Sequence, residues 1–462
     1  MQSASDRSGE IYLPYVGHLS DQVMLLEDGS VMAMAHFPGI ISELEDETSR
    51  NARYRALNAL FGDIADDNVT ICAHFVRHDA SAIIHMVNFS SRFAEHLKRA
   101  FSRAIPEGNL LRNDQFLTLI VSPRNSFGKL SCTMVQEYNE ANNDLKSLIC
   151  ELENLWHVIV GVLGAYSVRR LGVRQKDGVT FTEIGEALRL ILTCNCLPVA
   201  VTSSSIGPWR YTPRVFRGRG GVEVRLPSGT HFRSIFSVQE YPVRSKSGTL
   251  NTLHLSNFPL VVSQSFGFLA RSQICAKPCL KLSQSLSSGH EAPIQSNEWA
   301  QPENALASNE FVMGSHHLSI CIYARDMKSL ANRSDWALAK LIDAGALAVQ
   351  DRSGIEAAYW SQLPSNWRWR WSERPGAITF KNFADFISFN TCPMGSPVEE
   401  RGSVTYGSDL SHMPKFVGVV LSHLSNVKLV DTLGKLFGEV PAFWLDKFMT
   451  RYVEAKAKGL RS

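Results

Sequence analysis

Hydrophobic positions in the first part of the chain switch between two periods. Val23 and Leu25, then Val31, Ala33 and Ala35, recur at every second residue on either side of Asp28-Gly29. This predicts a β-hairpin over residues 21–37 closed by a two-residue primed turn. Tyr54, Leu57, Leu60, Phe61 and Ile64 then follow the helical period, after the polar start at residues 46–49. Asp67-Asn68 marks a turn into a strand at Val69–Val76. Phe93, Leu97 and Phe101 predict another helix, and Phe116–Val121 a short, fully apolar strand.

A long helix is predicted from Met134 to Leu171, with Leu145, Leu148, Leu152 and Leu155 as its core-facing stripe. The apolar run 155–168 contains His157 and falls short of the roughly 20 residues that span a bilayer. It reads as the buried end of that helix, with Arg169 and Arg170 complementing its C-terminal dipole. Lys176-Asp177-Gly178 marks a boundary, a helix follows at Thr182–Leu192, and residues 221–242 form a hairpin turning at Pro227-Ser228-Gly229. The segment from Phe311 to Ala324 has the composition of a strand.

Interleaved strands and helices predict an α+β fold, with an N-terminal mixed α/β sheet layer and a central α/β domain. The expected divisions are 1–175, 176–396 and a largely helical tail at 397–462, with a strand at Phe416–Leu421 and helices at Val430–Phe437 and Ala442–Ala457. The polar stretch 282–308 reads as a surface segment. No fixed-period repeat points to a solenoid.

Composition narrows function mainly by exclusion. With 462 residues, 44% hydrophobic and 20% charged, the chain is an ordinary globular protein of two or three domains. A formal charge of +3 makes no bulk electrostatic case for nucleic-acid or lipid binding. The nine cysteines and the polar first ten residues suit a reducing compartment and no signal peptide.

Cys194 and Cys196, like Cys275 and Cys279, lack a closely flanking histidine and read as structural. His316 and His317 would face opposite ways on a strand, and His74 with His78 implies no third ligand. Arg210, Arg214, Arg217 and Arg219 interleave with Trp209, Tyr211 and Phe216, a pattern that suits single-stranded nucleic acid. The near-neutral total charge favours a solvated loop instead. Glu27-Asp28 imitates the acidic end of a nucleotide-binding strand, but sits at the expected hairpin tip.

The most unusual local sequence is Trp367, Arg368, Trp369, Arg370 and Trp371. On a strand, three indoles would share one face and two guanidiniums the other. One reading is an aromatic cover for the core with the arginines in solvent. The other is an intermolecular contact, since Trp and Arg are enriched at interface hot spots. These five are the candidate interaction residues; no catalytic, cofactor-binding or metal residue is assigned.

Three blocks follow in order between Asn309 and Asn390: NEFVMGSHHLSI, GIEAAYWSQLPSNWRWR and RPGAITFKNFADFISFN. With Tyr166 followed by Arg169-Arg170-Leu171, with Gln239–Pro242 and with Val262–Leu269, they resemble the CagE/TrbE/VirB family of type IV secretion and conjugation ATPases. The resemblance runs from roughly Tyr12 to Pro393. A phosphate-cradling loop of the form GxxxxGK[ST] does not follow. The only Gly-Lys pairs, Gly128-Lys129 and Gly434-Lys435, both precede Leu, and the leading glycine positions are Pro123 and Leu429. A complete RecA-like motor domain is therefore not expected.

The resemblance implies a component of a type IV secretion system. One functional reading is a structural or docking subunit. The other is an ATPase subunit whose motor comes from a separate chain or a cryptic nucleotide site. ATP and magnesium are implied for the full-length family, and no cofactor is expected in this chain. Other secretion components at the inner membrane are the implied partners, along with self-association. The implied location is cytoplasmic, peripheral at that membrane through partners. Direct nucleic-acid or lipid binding is not expected.

Overall fold

The computed structural model describes residues 12–37, 47–79, 111–124, 136–166, 168–201, 213–218, 220–226, 229–242, 245, 248–254, 256–269, 312–352, 354–369 and 376–387. The chain divides into two compact units. Residues 1–39, 47–78 and 113–389 form the larger; the smaller comprises 40–46, 79–112 and 390–462 and contributes only Asp79, Leu111 and Arg112 to the described residues.

In chain order the strands are β1 Tyr15–Ser20, β2 Val23–Leu26, β3 Val31–Phe37, β4 Val69–Asp79, β5 Leu111–Val121, β6 Arg169–Arg170, β7 Val173–Lys176, β8 Val179–Thr182, β9 Arg214–Arg217, β10 Val222–Leu226, β11 Gly229–Glu240, β12 Leu260–Phe268, β13 Met313–Ala324, β14 Leu347–Gln350 and β15 Gly376–Thr379. The helices are α1 Glu47–Asp63, α2 Gln136–Leu163, α3 Glu183–Thr193, the single turn α4 Asn251–His254, α5 Met327–Asp343, α6 Ile355–Ser361 and α7 Phe380–Ile387.

Thirteen strands form one sheet in the order β1-β2-β3-β5-β4-β12-β13-β11-β10-β9. β6 joins beside β3, β14 beside β11 and β15 beside β13. The fold is mixed α/β around a large antiparallel sheet. Its two sequence-distant halves meet where β4 pairs β12, with Val76 opposite Val261 and Cys72 opposite Ser265.

β12 and β13 are buried almost throughout, as strands covered on both faces must be. One face gathers Met32, Met34, Val76, Ile120, Val261 and Cys321 into a core with α3 and α6. The other stacks Phe266 on Phe383 of α7, with centroids 4.9 Å apart, and sets Phe61 of α1 4.6 Å from Phe380.

Local chemistry explains where the expected elements shift. The turn at Asp28-Gly29 is not a two-residue primed turn. Gly29 alone adopts positive φ, 81°; its N–H donates to Leu26 O at 3.1 Å, and Leu26 N donates to Ser30 O at 2.9 Å. That is a three-residue loop with glycine at its left-handed position. The primed two-residue turn lies instead at Asp177-Gly178, with φ of 52° and 76°, where Lys176 opposes Val179. Lys176-Asp177-Gly178 is thus the tip of the β7–β8 hairpin. The N-cap Thr182 accepts from Gly185 N and starts α3 one residue inside the expected span.

The long helix ends at Leu163, a 3-10 turn covers Gly164–Tyr166, and Arg169 and Arg170 lie on β6 rather than capping a helix. Arg170 pairs with Glu153 at 2.5 Å and Arg169 with Glu183 at 2.8 Å. The apolar run is not buried all round. Trp156, Ile159 and Leu163 face the core, whereas Val158 and Val160 are 42% and 43% exposed. Among the described residues no helix is long and apolar enough to cross a membrane. The helix expected at Phe93–Phe101, the polar stretch 282–308 and the tail 397–462 lie outside the described residues.

Candidate interaction site

β11 carries Arg233 into the core, opposite Tyr323 of β13, and buries it completely. Carbonyls and hydroxyls meet the guanidinium there. Nη1 donates to Leu192 O, to the Tyr323 hydroxyl at 3.2 Å and to the Tyr359 hydroxyl at 3.3 Å, and Nη2 donates to Thr193 O at 3.4 Å. Tyr323 and Tyr359 themselves donate to Ile191 O and Leu192 O at 3.1 and 2.9 Å. The acceptors are the last carbonyls of α3, so the cation sits at the negative end of a helix dipole. The ring of Tyr323 lies 4.1 Å from the guanidinium carbon and adds its π face. Burial pushes the neighbouring Cys194 and Cys321 thiols up to about 12 and about 11, so neither offers a thiolate near neutral pH. Cys196 is exposed, while Cys275 and Cys279 lie outside the described residues.

Tyr359 belongs to α6, and the residue after it turns to a second task. Trp360 stacks on Tyr12, with centroids 4.8 Å apart and planes 1° from parallel. The Tyr12 hydroxyl donates to Glu356 at 2.8 Å, Asn366 Nδ2 donates to Tyr12 O at 2.9 Å, and the Tyr15 hydroxyl donates to Pro364 O at 2.8 Å. Residues 355–369 therefore clasp Tyr12–Tyr15 onto the sheet.

The end of this clasp corrects the expected strand at 367–371. Trp367–Trp369 forms a 3-10 turn, closed by Trp369 N donating to Asn366 O at 3.3 Å and preceded by Ser365 at a φ of 63°. In such a turn successive side chains do not alternate across a face. Trp369 packs against the core with its ring 4.7 Å from Tyr12. Arg368 points to the β2–β3 hairpin tip, 3.3 Å from Glu27, with both side chains about half exposed. Arg370 and Trp371 lie outside the described residues.

The histidine pairs are separated by their partners. His74 Nε2 donates to Gln362 O at 2.8 Å, whereas His78 Nε2 lies 2.7 Å from Asp114 Oδ2. The other oxygen of Asp114 lies 2.7 Å from His36 Nε2, so one buried carboxylate bridges imidazoles from β3 and β4. Sequence reading missed His36 and Asp114; their only signal was polarity at inward positions of strands. His316 stacks near Phe386 while His317, its neighbour on β13, points to the opposite face. Among the described residues no cluster of three or more His, Cys, Asp or Glu side chains could hold a metal ion.

Of the basic-aromatic group, Arg214, Phe216 and Arg217 lie on β9; Trp209, Arg210, Tyr211 and Arg219 lie outside the described residues. Among the described residues, the two capped helix starts offer no open cradle for a phosphate. No GxxxxGK[ST] occurs in the 462 residues. The N-terminus of α3 is capped by Thr182 and that of α5 by Asp326, whose carboxylate accepts from Ser329 N and would repel a phosphate.

The sheet, clasp and covering helices describe a mixed α/β protein built on a large antiparallel sheet, and comparison with known proteins gives the family. Residues 22–128 match the N-terminal domain of the type IV secretion system ATPase VirB4/TrbE, and residues 169–371 match the CagE, TrbE, VirB family, component of type IV transporter system. Across these regions the chain belongs to the CagE/TrbE/VirB family. Protein virB4 of Agrobacterium fabrum is 53% identical over 392 residues, covering 85% of this chain and 49% of that protein. Type IV secretion system protein virB4 of Bartonella henselae is 29% identical over 84% of this chain and 49% of its own length. PtlC, a type IV secretion system protein of Bordetella pertussis, is 23% identical over 84% and 47%. The chain spans about half the length of these curated relatives.

Proposed function

We propose that the chain is a structural or docking component of a type IV secretion apparatus, corresponding to the N-terminal and central regions of its VirB4-type energising protein. The observation that carries this is the alignment at 53% identity through 85% of the chain. On this reading its partners are other secretion components at the inner membrane, and protein contacts keep it there. Arg368 and Trp369, at the outer end of the clasp, are the described members of the proposed contact.

A second reading, favoured by the span of about half the relatives' length, is an ATPase subunit whose motor is supplied by a separate chain or by a cryptic nucleotide site. Purified chain separates the first reading from a cryptic nucleotide site, and adding the separate motor chain tests the other form of the second reading. We expect no magnesium-dependent ATP turnover that follows the protein through gel filtration. Turnover that co-elutes with it after extensive purification would establish a nucleotide site in these residues and overturn the first reading.

A further inference from the structure

The edges of a sheet carry unpaired backbone donors and acceptors, which proteins blunt with bulges, charge or cover. The two ends of this sheet differ in that respect. β1 is irregular: its register against β2 shifts between Tyr15 and Gly17, and again between His18 and Ser20. β9, at the opposite end, pairs β10 from Arg214 to Arg217 without a shift. Among the described residues no strand pairs with its outward edge, which is regular and carries charge. Arg214 and Arg217 are exposed, and neither has a carboxylate partner among the described residues. On β10, Arg225 opposes Arg214, pairs with Glu223 at 2.7 Å and covers the Phe216 ring at 4.2 Å. Arg214 and Arg225 thus share one face with a single carboxylate, and Arg217 lies on the other face, in a chain whose formal charge is only +3 over 462 residues.

We propose that the outer edge of β9 is a docking strand for an acidic, extended segment of a partner protein, bound by strand addition. Side chains alternate along β9, so Arg214 and Phe216 share one face and Val215 and Arg217 the other. An antiparallel guest therefore needs two carboxylates three residues apart, opposite Arg217 and Arg214. A β-branched residue between them would meet Val215. Backbone hydrogen bonds give the attachment, and the two charge-assisted contacts select the sequence. Self-pairing of this edge is disfavoured, because a second copy would bring arginine against arginine. Single-stranded nucleic acid is the weaker fit: it needs an open aromatic face, and Arg225 already occupies that of Phe216. The inference rests on the sheet edge and stands whether or not the chain serves a secretion apparatus.

The test uses the full chain and a fluorescein-labelled peptide, Gly-Thr-Glu-Thr-Val-Glu-Thr-Gly amide, read by anisotropy. A matched peptide with Lys in place of both Glu and a labelled oligothymidylate are titrated alongside. Saturable, salt-sensitive binding of the acidic peptide is expected, weakened about tenfold or more in the chain carrying Arg214→Glu and Arg217→Glu. If that double reversal disturbs the thermal transition, Arg214→Gln with Arg217→Gln reads the same contact without introducing new charge. No saturable binding of the acidic peptide, or equal binding of the Lys peptide, would overturn the proposal. Oligothymidylate binding that disappears in the double variant would assign the edge to nucleic acid instead.

Discussion

Arg233 occupies an inward position of β11, two residues before the buried Ile235, where alternation calls for an apolar side chain. A buried cation without a carboxylate is tolerated because two helix-end carbonyls and two hydroxyls replace its water. Arg233→Ala leaves those acceptors short of a donor and opens a cavity, so unfolding free energy should fall by about 3–5 kcal/mol. Arg233→Met refills the volume and should cost less. Urea denaturation of both variants checks this, and a loss below about 1 kcal/mol for the alanine variant would contradict it. The signal was legible, as a charged residue out of phase with its strand, but its partners come from α3 and α6 and no spacing announces them. His254 carries a second prediction. Burial first, then the nearby Arg77, lowers its pKa to about 3, while its ring stacks 3.7 Å from Phe75. The unfolded chain takes up that proton near pH 6.5, well before the folded one does. Stability from this group is therefore present above about pH 6.5 and lost as pH falls towards 3, at up to about 1.4 kcal/mol per pH unit. His254→Phe should flatten that part of the stability profile; an unchanged acid slope would show that other groups set it.

Elements with strong local periodicity were readable: the β2–β3 hairpin, α1, α3 and the β10–β11 hairpin all fall where the pattern puts them. The expected strand at 367–371 was not, because alternation of Trp and Arg mimics a strand while Ser365 and Asn366 impose a turn. Helix α5 was overlooked although Asp326 caps it and Leu330, Ala337 and Leu341 mark its buried stripe. The short strands β14 and β15 carry too few residues for a period to show. The turn at Trp367–Trp369 bears on the proposed contact. Trp369→Ala should weaken assembly with secretion partners, measured by co-purification, while the cooperative thermal transition survives at a lower midpoint. Trp369 is only partly buried, so about 1–3 kcal/mol is the expected loss. Disappearance of the cooperative transition would assign the indole wholly to the core and remove it from the interface.

The whole molecule is the scale at which one sequence says least. β5 lies between β3 and β4, and β4 meets β12 across a long stretch of chain. These pairings are chosen by which apolar faces can be buried together, and no local signal encodes that choice. Family resemblance was legible because the blocks at 309–390 are collinear and specific, and the matches over residues 22–128 and 169–371 agree with it. The β4–β12 join makes one continuous sheet of those two regions. The central claim, that partners rather than lipid or nucleotide fix where this chain works, is tested most directly by fractionating cells that express it with and without the remaining secretion genes. The expected result is recovery with the inner membrane when the partners are present and in the soluble fraction when they are deleted. Membrane association that persists in their absence and resists salt and carbonate washing would contradict the account.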